Sequence, residues 1–122
     1  MDKSMLLLIF ASVLLSSIAQ IVLKGGMSSP GVAGASAAGF GWPMVQAIAA
    51  SPLVLLGLLV YFASAVVWLL VLAKVDVSLA YPFVGLGFVL TMLFAWAIHG
   101  EAPNAGRIAG TLMICAGVVV LA

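Results

Sequence analysis

Charge is what this sequence has least of. Its 122 residues contain four Lys or Arg, three Asp or Glu and one His, so 6% are charged, where an ordinary soluble domain has about a quarter. That excludes a soluble globular domain. A net charge of +1 gives no basic patch, which excludes a nucleic-acid partner. Cys115 is the only cysteine, so no intramolecular disulfide forms, and it reads as a small apolar packing residue. No His, Cys and carboxylate cluster has metal-ligand spacing. Neither a metal nor a cofactor is expected, and no catalytic constellation marks an enzyme. Lys24 and Lys74 are consecutive charges in the sequence, so everything between them is neutral.

What is present is apolar: 66% of the residues are hydrophobic. Runs of about 18 or more apolar residues read as membrane spans, and four can be drawn, at about 4–23, 53–73, 79–98 and 105–122. The expectation is an all-α integral membrane protein, a single four-helix transmembrane domain over 1–122. The first run is too long, and its flank too weakly basic with Lys3 beside Asp2, for a cleaved leader. The uncharged connection 25–52 is rich in Gly, Ala, Ser and Pro. Its 31–41 stretch suits a flexible coil, while Trp42-Pro43 can begin a short helix reaching Ala50.

The first span holds the most informative pattern. Ser12, Ser16, Gln20 and Lys24 recur every four residues, and on a helix they drift only about 40° per step, so they make one polar stripe. Such a stripe is either glue between helices or the wall of a polar path. Gly57, Tyr61, Ser64 and Trp68 share one face of the second span. The short Lys74–Ser78 link makes spans two and three antiparallel neighbours, with Asp76 or Ser78 as a cap. Tyr81-Pro82 opens the third span, and Gly85 and Gly87 follow, which allows either a bend or close packing of small residues. Gly100 suits a helix C-terminus, and Asn104 can cap the fourth span. In that span Gly106, Gly110, Ile114 and Gly117 form a small-residue seam for close helix contact, across a dimer for instance.

Asp and Glu are absent from the span interiors, which argues against proton antiport through an embedded carboxylate. Glu101 reads as a cap or as the salt-bridge partner of Arg107, and His99 as an interfacial residue. The interior groups are neutral hydrogen-bonders: Ser16, Ser17, Gln20, Tyr61, Ser64, Trp68, Tyr81, Thr91 and Thr111. They suit the hydroxyls of a sugar or polar headgroup. Lys24 at the mouth either snorkels to the interface or meets an anion such as phosphate. Ser16, Gln20, Lys24, Trp68 and Tyr81 are the candidate substrate-binding residues. Pro82, Gly85, Gly87, Glu101 and Arg107 are gating or structural candidates, and Gly106, Gly110 and Gly117 serve helix packing.

Positive charges divide evenly, Lys3 and Lys74 on the side of the N-terminus and Lys24 and Arg107 on the other. Without a positive-inside bias, insertion both ways up is allowed. Two antiparallel copies would then form an inverted, eight-helix transporter. A pair with a related four-helix subunit fits equally.

Ser16-x-x-x-Gln20-x-x-x-Lys24, Leu79-Ala80-Tyr81-Pro82, and Gly100-Glu101 followed by Arg107-x-x-Gly110 and Gly117 together resemble the drug/metabolite transporter superfamily, in its EamA-like and small multidrug resistance-like four-helix form. The Ala-Tyr-Pro start and the Trp68-Leu-Leu-Val-Leu run are most similar to the small subunits of the aminoarabinose-phosphoundecaprenol flippase. The resemblance covers the chain outside 25–51. It implies a multi-pass protein of the bacterial inner membrane that works as a dimer, with a substrate site lined by the first span. It implies a lipid-linked sugar as substrate and an unlike partner subunit. The essential glutamate of the drug-exporting branch falls at Ser16 and its stacking tryptophan at Val84, so those features are not shared. Three functions therefore remain: a flippase for a polyisoprenyl-phosphate-linked sugar, an exporter of cations or drugs, and a non-transporting subunit that stabilises a partner.

Overall fold

The computed structural model describes residues 3–121; Met1, Asp2 and Ala122 lie outside the described residues. The described chain is helical, with no strand. Helix α1 spans Lys3–Met27, α2 Pro30–Ala37, α3 Trp42–Ala50 and α4 Pro52–Leu72. A short α5, Val77–Ala80, tightens through a 3-10 turn at Tyr81–Phe83 into α6, Val84–His99, and α7 covers Ala105–Leu121. Three stretches are long and apolar enough to cross a membrane: Lys3–Met27, Pro52–Leu72 and Val77–His99. The helix Ala105–Leu121 is also apolar but shorter; its 17 residues extend roughly 25 Å at 1.5 Å each, against about 30 Å of hydrocarbon. The protein is thus an all-helical, multi-pass membrane protein.

Local chemistry sets the helix ends. Ser51 accepts a hydrogen bond from the Val54 amide at 3.4 Å and so caps α4, with Pro52 in the first turn. Asn104 Oδ1 accepts from the Arg107 amide at 2.8 Å and caps α7. Gly100 ends α6 in the left-handed region at φ 69°, where a Cβ would be strained. Asp76 occupies the cap position of α5, but its side chain makes no capping bond; its carbonyl instead accepts from the Leu79 and Ala80 amides.

The neutral connection is mostly helical. The 31–41 stretch suited a coil, yet Pro30–Ala37 is α2, with the Ala33 amide bonded to the Ser29 carbonyl at 2.8 Å. Pro30 in the first turn and the alanines beyond it explain the helix. The chain turns at Ala38–Gly41, with Gly39 at φ 99°, and α3 packs back on α2 and on the start of α4.

Helix α1 is the hub. It lies along α4 on one side and α6 on the other, while α4 and α6 hardly touch; the short Lys74–Ser78 link joins spans two and three without packing them as neighbours, because α1 sits between them. Helix α7 packs on α6 and the 3-10 turn. The buried core sits at one end of the bundle, where Met5, Ile9 and Val13 of α1 meet Val71, Val75, Ala80, Phe83 and Val118. Close approach depends on glycine. A Cβ on Gly57 would come within 2.7 Å of Leu23, and one on Gly85 would collide with Ile114 of α7. Outward faces such as Leu59, Phe62 and Leu69 of α4 are exposed apolar surface, as expected of helices that meet acyl chains rather than water.

The Gly106, Gly110 and Gly117 seam is not used within the chain. All three are exposed, and no atom lies within 4 Å of a Cβ built on Gly110 or Gly117. Helix α7 instead turns Ile114 and Val118 inward, onto Gly85. The spacing suggests a contact face, and within this chain no helix packs on it.

Candidate functional site

Because α1 holds α4 and α6 apart, a cleft opens between them. It has two connected cavities, about 490 and 260 Å³, that share Ser16, Tyr61, Val84 and Gly87 in their walls. The larger falls within the range of about 300–1,000 Å³ typical of small-ligand sites.

The stripe on α1 divides among three tasks. Ser12 is buried, and its hydroxyl donates to the Ser64 carbonyl of α4 at 3.0 Å. Ser16 and Gln20 line the larger cavity. Lys24 is exposed and belongs to neither cavity wall. The reason is cumulative drift: at about 40° per step, three steps turn Lys24 about 120° away from Ser12. One stripe therefore touches a neighbouring helix at its start, the cleft at its middle and the surroundings at its end. Ser17, off the stripe, is buried and donates to the carbonyls of Val13 at 2.9 Å and Gly87 at 3.2 Å, which ties α1 to α6.

The polar face of α4 points the same way. Gly57 packs on Leu23, Ser64 meets Ser12, and Tyr61 and Trp68 line the cleft. Trp68 and Tyr81 share the smaller cavity with Ser16. Pro82 lies in the 3-10 turn. Gly87 lets α6 approach α1, since an added Cβ would meet Val13 at 3.2 Å. Four of the five candidate substrate residues, Ser16, Gln20, Trp68 and Tyr81, thus share one cleft, and Lys24 stands apart.

The other end of the larger cavity carries the charge. Glu101 and Arg107 both line it, with Thr91 and Met92 of α6 nearby. Glu101 follows Gly100 directly, and its amide bonds back to the Ala95 carbonyl at 3.2 Å. Neither role first expected for Glu101 is realised: its side chain caps no helix, and among the described residues no ion pair forms, Glu101 with Arg107 included. The acidic and the basic side chain fall on different elements, Glu101 on the turn and Arg107 on α7, and remain apart. The sequence signal for this placement was slight; only Thr91 and Glu101–Arg107 in a tight turn pointed towards it. His99 Nε2 lies 3.2 Å from the Ile21 carbonyl, in the geometry of a donor to it, and fixes this end of α6 against α1. Cys115 is partly buried and free.

Among the described residues no group of three or more metal-ligating side chains gathers. No family model matches the chain, and no solved structure matches it. Curated relatives do match. The chain is 42% identical over 71 residues to the probable 4-amino-4-deoxy-L-arabinose-phosphoundecaprenol flippase subunit ArnE of Pseudomonas aeruginosa strain UCBPP-PA14, covering 58% of this chain and 62% of that protein. It is 38% identical over 66 residues to the protein of the same name in Salmonella newport strain SL254, covering 54% and 60%. The likeness to the flippase small subunits is therefore real at the level of sequence. The matched segment spans about three fifths of the relatives' length. The relatives are named as transporter subunits, not as enzymes.

Proposed function

We propose that this chain is one subunit of a flippase that moves a polyisoprenyl-phosphate-linked sugar, or a similar amphipathic lipid, across the bacterial inner membrane. The observation that carries the proposal is the cleft: neutral hydrogen-bonding groups from three helices face a space large enough for a headgroup, with charge confined to one end. Ser16, Gln20, Tyr61 and Thr91 offer donors and acceptors to sugar hydroxyls, with Trp68 and Tyr81 at the opposite end. The prenyl chain stays in lipid, beside the exposed apolar faces of α4 and α6, so no continuous aqueous channel is required. The names of the relatives point the same way.

The subunit works as a pair, with a second copy or a related four-helix subunit. The outward small-residue face of α7 supports this, because it is shaped for a close neighbour that the chain itself does not supply. Lys24, exposed at the same end as the charged wall, remains available to a phosphate approaching from the bilayer surface.

The test is flipping of a fluorescent polyprenyl-phosphate sugar in proteoliposomes. Gln20→Leu removes the cleft's exposed amide while keeping an apolar side chain of similar length, and is expected to reduce the rate about tenfold, the order of one lost hydrogen bond to a polar ligand. Full activity in Gln20→Leu would count against the proposal. A second reading, export of small cations, gains from one observation: Glu101 faces the cavity and is the carboxylate placed to carry a proton there. Substrate-induced proton release from purified protein, lost in Glu101→Gln, would favour it.

A further inference from the structure

We infer that Glu101 and Arg107 form a split charge pair that selects headgroups carrying an amine and a phosphate together. The inference rests on the flippase reading and assigns its specificity. Four observations support it. Glu101 and Arg107 are the charged residues of the cleft wall; every other lining side chain is neutral. They are opposite in sign, yet they do not pair with each other, so each charge is free for a ligand. The main chain that carries them is held at the turn, the Glu101 amide donating to the Ala95 carbonyl and the Arg107 amide to Asn104 Oδ1. Finally, the exposed Lys24 lies outside the wall, so the cation that meets a bound headgroup is Arg107.

The physical logic is discrimination by repulsion as much as by attraction. A lone arginine in a membrane would take any phosphate-bearing lipid, because a guanidinium binds phosphate through paired N–H groups. A carboxylate in the same wall penalises a headgroup that is only anionic. A headgroup with an ammonium group offsets that penalty by placing its cation on Glu101 while Arg107 holds the phosphate. Ser16, Gln20 and Thr91 of the same cavity wall then contact the hydroxyls. The amine and phosphate could belong to an amino sugar on a polyprenyl phosphate or to an ethanolamine glycerophospholipid, and the experiment separates these.

Binding is measured on the full chain in phosphatidylglycerol nanodiscs with three probes: a decaprenyl-phosphate 4-aminopentose, the same lipid with a hydroxyl in place of the amine, and phosphatidylethanolamine. The expected result is that the wild type prefers the aminopentose lipid over its hydroxyl analogue about tenfold, the order of one charge-assisted hydrogen bond. Glu101→Gln should abolish that preference by weakening the amino lipid alone, and Arg107→Gln should weaken both sugar lipids. Glu101-dependent binding of phosphatidylethanolamine in place of the sugar lipids also supports the charge pair and makes the glycerolipid its source. Equal weakening of both sugar lipids by Glu101→Gln, or no change, overturns the inference while leaving the flippase reading intact. Failure of the wild type to bind any of the three probes overturns that reading and the inference with it. Both residues are exposed, so unchanged thermal unfolding of the variants checks that the fold survives.

Discussion

Ser12 and Ser16 are one helical turn apart and do different work. Ser12 is 3% exposed and spends its hydroxyl on the Ser64 carbonyl; Ser16 keeps its hydroxyl for the cleft. Within a bilayer no water competes for such groups, yet an interhelical hydrogen bond contributes only about 0.6 kcal/mol on average, because the separated helices find other partners. Ser12→Ala should therefore lower the unfolding free energy by about 0.6 kcal/mol, measured by denaturant titration in mixed micelles. A loss several times larger would mean that the Ser64 carbonyl depends on Ser12 more than its own helix suggests. Lys24 teaches a related lesson. A four-residue repeat describes a face that rotates as it climbs, so membership in a stripe does not ensure a shared environment.

Between elements, small residues govern how closely the helices approach. In lipid the hydrophobic effect does not pull helices together, so shape must. At the α1–α4 contact the two helices exchange glycines: Gly26 lies against Val54, and Gly57 against Leu23. A Cβ on Gly26 would stand 2.8 Å from the Val54 backbone nitrogen, which cannot yield as a side-chain tip can. Gly26→Ala should cost about 1–3 kcal/mol by overpacking, read as reduced thermal stability in detergent. The helices themselves and the polar face of α4 were legible in the sequence, since apolar length and four-residue spacing are local properties. Three things were not. Helix α2 hid in a Gly- and Ser-rich segment because Pro30 and three alanines favour a helix there only modestly, and its packing on α3 is not a local property. The empty contact face of α7 could not be told from a filled one, since spacing does not say which neighbour arrives. The turn of Glu101 and Arg107 into the cleft depends on how α7 is set against α6, which no periodicity encodes.

For the molecule as a whole, the asymmetry of the bundle matters. Helix α1 is held on two sides, whereas α7 is held on one and shows Gly106, Gly110 and Gly117 outward. A Cβ on Gly110 would meet no atom of the protomer within 4 Å, so Gly110→Leu should leave the monomer's helicity and thermal stability unchanged. In cross-linking or mass photometry in nanodiscs it should shift the population from pairs to single copies, by about tenfold or more if the face is a tight seam. An unchanged pair population would place the interface on another helix. The central position of α1 also has a consequence for synthesis. The carbonyl that Ser12 needs lies 52 residues downstream, and the one on Gly87 that Ser17 needs lies 70 downstream. At about 5–20 residues per second on the ribosome, the first helix waits roughly 3–14 s for them. During that interval Ser17 can lean on Val13 of its own helix, a bond it keeps at 2.9 Å in the finished fold, so α1 carries its own provisional partner until α6 arrives.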